Sequence, residues 1–371
     1  MRRSYKFLLR PTQRQEQTLR DHCHLYNAAL QERRDAYRHA SKKSISYGQQ
    51  SAQLSEIRAF DPEQARWSFS SQQATLRRLN KASAAFFSRI KKGEKAGYPR
   101  FRGTGHFDTV EFPKNGDGCR WDSTPRDPQT RVRLQGVGHV RVHRHRPVLG
   151  RVKTVSVKRE GRRWYVILAC DDVPAEPLPA TGSIVGIDMG TVHFFTDSNG
   201  NHVTLLDTFP KHRGAARKVA KLHTKVRRQR LDHHHKTANA LVQKHEVIAH
   251  ERLNAAGKTK RPAPKPDPNR DGGFLPNKAA PKAGLNRSIM DAGWGLFLGI
   301  LASKAESAGR RVIPVDAHNT SRTCPECGHV AKENRASQAE FKCAACGFAA
   351  NADHVGALNI LNRAGLALCA P

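Results

Sequence analysis

The chain has 371 residues, an apolar fraction of 38% and 28 glycines, an ordinary globular composition with room for two or three domains. Lys and Arg total 64 against 32 Asp and Glu, a formal charge of +32 spread along the chain, which calls for a polyanionic partner, nucleic acid first. The longest apolar run, WGLFLGILA at 294–302, is too short to span a bilayer, and neither a lipidation motif nor a secretory signal is visible, so no membrane partner is expected and the location is cytoplasmic, nucleoid-associated.

Residues 3–10 form a short β-like run that stops at Pro11, and Thr12 is placed to cap a helix. That helix carries Leu19, Cys23, Tyr26, Leu30 and Tyr37 at a spacing near 3.6, the stripe of a half-buried helix. A second amphipathic stretch, with Leu76, Leu79, Ser83, Phe86, Phe87 and Ile90, ends in KKGEKAGYPRFRG. From about 97 to 175 short alternating segments such as RVRLQGVGHVRVH predict an antiparallel β-domain, and the Pro-rich residues 171–182 predict a linker.

A new domain opens with the apolar strand of SIVGIDMGTVHFF and an SNGN turn that fits a hairpin. A long basic helix follows, then the strand VIAHERLN, a mobile insertion over 257–284, a helix over NRSIMDAGWGLFLGILASKAESAGR and the strand RVIPVDA. Strands alternating with helices predict an α/β layer fold.

Three acids, Asp188, Glu251 and Asp353, each fall where a strand or helix of this domain presents a residue at its end. Cleaving a phosphodiester needs an activated water and stabilised charge on the entering and leaving oxygens, which two Mg²⁺ ions about 4 Å apart supply when held by carboxylates. Singly, Asp188 also reads as a turn residue and Asp353 as a helix cap; their order along the chain is what joins them into one site.

Residues 324–353 read CPECGHVAKENRASQAEFKCAACGFAANAD, two Cys-x-x-Cys pairs around a fifteen-residue spacer. Cys324, Cys327, Cys343 and Cys346 complete a tetrahedral Zn²⁺ shell with no open position, so this zinc is expected to be structural. The remaining four cysteines, Cys23, Cys119, Cys170 and Cys369, are scattered, and reduced, buried thiols are expected. The triplet His233, His234, His235 points to different helix faces and reads as solvated surface.

Four stretches carry a family likeness: YKFLLRPTQRQEQTLR with LYNAAL after it, GYPRFR, GIDMGT, and the block from TSRTCPECG to NADHVGALNIL. Across nearly its whole length the sequence resembles TnpB proteins, transposon-associated RNA-guided DNA endonucleases related to type V CRISPR effectors. The resemblance implies a multidomain α+β architecture: a split wedge β-barrel (1–10 and 96–180), a helical recognition domain (11–95), a RuvC-like nuclease of RNase H fold (181–323 and 348–371) and an inserted zinc ribbon that binds target nucleic acid (324–347). It assigns the metal-binding carboxylates to Asp188, Glu251 and Asp353, a further catalytic role to Arg322, and motif reading to Tyr47, Ser71, Gln72, Gln73 and Arg77, where Gln and Arg can contact base edges in pairs. The implied partners are a guide RNA from the transposon end and double-stranded target DNA, bound by a monomer, with Mg²⁺ and Zn²⁺ as cofactors. The rival readings are a nuclease-inactive RNA-guided repressor, a protein-only zinc-ribbon DNA-binding protein or transposase, and a miniature CRISPR effector.

Overall fold

The computed structural model describes every residue except 11, 41, 104, 122–128, 207–215, 271, 338 and 366–371, so Cys369 and the end of the last expected segment lie outside the described residues. The fold is mixed α/β, in two compact units, Met1–Pro174 and Ala175–Pro371, divided inside the Pro-rich stretch.

In the first unit β1 (Arg3–Leu9) leads into α1 (Gln13–Arg38), α2 (Tyr47–Ala52), α3 (Leu54–Phe60), α4 (Pro62–Ala65) and α5 (Phe69–Lys91). The strands β2 (Thr109–Phe112), β3 (Cys119–Arg120), β4 (Arg131–Leu134), β5 (Gly138–His143), β6 (Arg151–Glu160) and β7 (Arg163–Asp171) follow. With β1 they make one antiparallel sheet in the order β2-β6-β7-β1-β5-β4-β3. β1 holds an interior place because Tyr5, Phe7 and Leu9 alternate into the core, and it pairs along its length with β7, Phe7 opposite Val166. Thr12 caps α1 in a capping box, its backbone N–H donating to Gln15 Oε1 at 3.2 Å.

Leu19, Cys23, Tyr26 and Leu30 are buried as their spacing predicts, each fully buried Leu contributing about 1.5–3 kcal/mol relative to exposure. Tyr37 is not buried, nor are Phe87 and Ile90. The stripes of α1 and α5 run on past the core and line an open groove instead. Cys23, Cys119 and Cys170 are buried free thiols, and burial raises all three above the ordinary thiol range.

The second unit contains β8 (Ile184–Met189), β9 (His193–Asp197), β10 (His202–Thr204), α6 (Ala216–Lys244), β11 (Val247–Glu251), α7 (Ala255–Lys258), β12 (Lys265–Pro266) and β13 (Phe274–Leu275). It continues through α8 (Ala279–Ala292), α9 (Trp294–Ala308), β14 (Arg311–Val315), β15 (Glu340–Lys342), β16 (Ala349–Asn351) and α10 (Ala352–Arg363). Its main sheet has the order β10-β9-β8-β11-β14. β8, β9 and β10 are antiparallel, whereas β11 runs parallel to β8 and to β14. The central strands are near-continuous apolar runs, with Val185, Ile187, Ile248 and Ala249 at 0% exposure, as parallel strands covered on both faces require.

Three expectations change here. The helix foreseen across 286–310 is two helices, because Gly293 takes φ +66 and ends α8 before α9 begins. The insertion at 257–284 carries the end of α7, the antiparallel pair β12 and β13 and the start of α8. Of the histidine triplet only His235 fits a solvated surface: His234 is fully buried against Phe194 and Phe297, and His233 is half-buried beside Phe194, because successive helical residues step about 100° around the axis.

Candidate active site

Asp188 is the next-to-last residue of β8 and Glu251 the last of β11. His250 pairs with Ile187 across these parallel strands, so the two acids follow side by side at the strands' C-terminal ends, the edge at which open α/β sheets bind ligands. Asp353 arrives from another direction, in the first turn of α10, where Asn351 is the cap: its side chain accepts from the N–H groups of Asp353 and His354 at 2.9 and 3.2 Å. Asp353 is therefore not the cap, and its charge sits where the helix dipole favours an anion.

Two glycines let α10 lie directly on β8. A Cβ at Gly186 would stand 2.3 Å from the carbonyl oxygen of Ala357, and one at Gly356 would stand 2.6 Å from Asp188 Oδ2. Gly356 and Asp353 share a helix face, so the close approach that seats Asp188 also brings Asp353 to it. The electrostatics report the same cluster: burial first, then Glu251, then Asp353 push Asp188 up to about 8, opposed by Arg335 and Lys258.

Glu251, only 8% exposed, accepts a 2.5 Å hydrogen bond from Thr320 Oγ1. The buried Asn359 of α10 holds that loop, its Nδ2 donating to the carbonyls of Thr320 and Thr323 at 2.7 Å each. Arg322 is exposed, and among the described residues no ion pair joins it to the acids. The arginine that meets them is Arg335, with Nη2 3.8 Å from Asp353 Oδ1.

The four cysteines converge. All four sulfurs lie within 4.8 Å of one another, with Cys324 to Cys346 and Cys327 to Cys343 both at 3.6 Å. A tetrahedral ion with Zn–S bonds of about 2.3 Å needs sulfurs roughly 3.8 Å apart, so the donor set and its spacing fit zinc. Each Cys pair forms the same turn: the N–H of Cys324 donates to His329 O and that of Gly328 to Cys324 O, matched by Cys343 to Phe348 and Gly347 to Cys343. Gly328 and Gly347 take φ of +73 and +77, values that favour glycine. Asn334, fully buried, ties the two turns, donating to Arg322 O and His329 O and accepting from Ala344 N. The N–H groups of Cys346 and Ala345 pull the Cys343 thiol down to about 6.

The five motif-reading candidates separate. Ser71 and Gln72 are buried with 0% exposure and turn inward. Ser71 Oγ meets His22 Nε2 at 2.9 Å, and Gln72 bonds Gln64 and Arg58. Neither can reach a base edge from there. Tyr47, Gln73 and Arg77 remain accessible, with the Arg77 guanidinium 5.9 Å from the Tyr47 ring centre.

Acids gathered at the ends of parallel strands, an arginine beside Asp353 and a thiol cluster make this a mixed α/β protein with a candidate nuclease centre. A family model described as the Cas12f1-like TNB domain matches residues 294–360, from α9 through the cysteines into α10. InsQ of Escherichia coli (strain K12), which carries the name of an RNA-guided DNA endonuclease, is 31% identical over 386 residues, spanning 96% of this chain and 91% of the relative. A protein of Streptomyces pristinaespiralis with the same type of name is 29% identical over 403 residues, spanning 100% and 91%. In fold, the chain resembles Cas12f1 as solved in a complex with sgRNA and target DNA, with a TM-score of 0.52 at 14% identity over 93% of this chain and 81% of that one. The chain belongs to the TnpB family of RNA-guided DNA endonucleases.

Proposed function

We propose that the protein binds a guide RNA made from a transposon end, recognises a short motif beside its DNA target and cleaves the DNA in one RuvC-like centre built from Asp188, Glu251 and Asp353. The observation that carries this reading is the approach of Glu251 and Asp353 to Asp188 in a chain of net charge +32. Burial first, then the neighbouring Glu251 and Asp353, raise Asp188 to about 8, and divalent cations would supply the positive charge that its ionised form lacks there. Mg²⁺ held there by the three carboxylates would supply an activated water and neutralise the leaving oxygen.

The chain's own residues do the rest. Thr320 fixes the orientation of Glu251, the Gly356 approach fixes Asp188, and Arg335 offers a guanidinium beside Asp353 to a phosphate entering the cluster. Three antiparallel strands followed by two parallel ones support an RNase H-type nuclease, and the paired-cysteine turns support a structural zinc ribbon inserted in it. The antiparallel sheet of the first unit supports the wedge, with the helices between β1 and β2 as the recognition domain. Base pairing with the guide then reads the target, while the protein reads backbone and motif. We take the working species to be a monomer with its RNA.

The test is expression with the native flanking DNA, sequencing of the RNA that remains bound, and cleavage of the matching DNA with Mg²⁺ by wild type and Asp188→Ala. Cutting by wild type alone, with equal RNA retention, is the expected result. Cutting by Asp188→Ala refutes the site, equal target binding with no cutting by wild type selects the repressor, and absence of a defined RNA selects a protein-only DNA binder.

A further inference from the structure

The ends of α1 and α5 and the segment after α5 enclose a groove of about 750 Å³ that no part of the nuclease mechanism uses. Its walls are aromatic. Tyr37, Phe87 and Tyr98 are 62%, 51% and 40% exposed, and Phe86 stands edge-to-face with both Phe87 and Tyr98 at 5.1 and 5.2 Å. Its charge has one sign: Arg33, Arg34, Arg38, Lys43 and Arg100 line it, with no Asp or Glu among the lining residues.

One of these cations is built in. Arg33 is 8% exposed, with Nε donating to Gln50 Oε1 at 2.8 Å and Nη1 to Asn80 and Ser83 at 3.3 Å, while the buried Nη2 has no hydrogen-bond partner among the described residues. A guanidinium held on two sides by neutral amides and a hydroxyl fixes a positive charge in the groove wall, and that charge favours an anion in the groove.

We propose that this groove binds one unpaired nucleotide of the guide RNA, its base stacked on Phe87 and Tyr98 and its phosphate paired with the exposed Arg100, with Arg33 adding fixed positive charge to the wall. The inference rests on the RNA-guided reading. Aromatic faces beside cations are the usual means of holding an unstacked base, and the volume lies within the about 300–1,000 Å³ of small-ligand sites. Duplex DNA offers no free base face, whereas folded RNA loops bases out. A second copy of the chain would bring a like charge of +32 against the same cations.

The experiment uses the full chain with its co-purified RNA: ultraviolet crosslinking, mass spectrometry of the modified peptides, and RNA affinity of Phe87→Ala/Tyr98→Ala and, separately, Arg100→Glu. All three side chains are exposed, so the variants fold. The expected result is a nucleotide adduct on Phe86, Phe87 or Tyr98 that the double variant loses, with RNA affinity about tenfold or more weaker in both variants. Wild-type affinity in the double variant, adducts confined to other surfaces, or loss of a concentration-dependent dimer in place of RNA overturns the groove assignment and leaves RNA-guided cleavage standing. A wild-type protein that retains no RNA overturns both.

Discussion

Replacing Gly356 by alanine puts a methyl group 2.6 Å from Asp188 Oδ2 and 3.2 Å from its Cγ, with no backbone atom among its nearest neighbours. The carboxylate can yield, so the strain falls on the catalytic geometry rather than on the packing of α10. Restoring ordinary contact near 3.4 Å displaces the carboxylate by about 0.8 Å, and misplacement on the order of 1 Å costs about 100-fold in rate. The same change removes a glycine from a helix interior, which adds about 1 kcal/mol of helix stability. Guide-loaded Gly356→Ala should therefore cut its target about 100-fold more slowly in a single-turnover assay, with RNA retention unchanged and thermal unfolding at or above the wild-type temperature. Cleavage at the wild-type rate refutes the reasoning, and so does a rate loss accompanied by a drop in unfolding temperature, which would place the damage in the fold.

Asp188→Asn should abolish cutting yet stabilise the metal-free protein: Asp188 keeps its proton up to about pH 8 when folded against 3.8 ordinarily, so wild-type stability falls as pH rises between those values and the variant escapes that fall, as thermal melts at pH 5 and 8 would register. Cys343→Ser should lower zinc content, unfolding temperature and cleavage together; a variant that cuts normally with full zinc content excludes a structural role for the cysteine site. Burial holds His22 down at about 4 against 6.5 ordinarily, so its contribution is present above 6.5 and lost as pH falls toward 4, up to roughly 3 kcal/mol. Denaturant titrations at pH 7 and 4.5 should show that loss in wild type and a smaller one in His22→Asn.

The cysteine quartet and the position of Asp188 were legible because both are local: a two-residue gap between thiols and an acid at the end of an apolar strand are written in consecutive residues. Arg335 was not legible. It lies within the spacer between the Cys pairs, and only the folded hairpin decides that it, rather than Arg322, faces Asp353. Ser71 and Gln72 misled for a related reason. A polar residue on a helix reads as surface unless its buried partners, here His22, Gln64 and Arg58, are already known. Gly293 did carry a signal, a glycine ahead of Trp294 inside a long helical pattern, while the exposure of Tyr37 and Phe87 carried none, since periodicity marks a stripe without saying where its partner ends.

Asn334 ties the two cysteine turns through protein atoms alone. Lys342 N–H donates to Asn334 O, and β15 pairs with β16, which runs straight into α10. The consequence is mechanical. A shift of either cysteine turn is carried through Asn334 and this strand pair to the first turn of α10, so the geometry of the thiols and the position of Asp353 are set together.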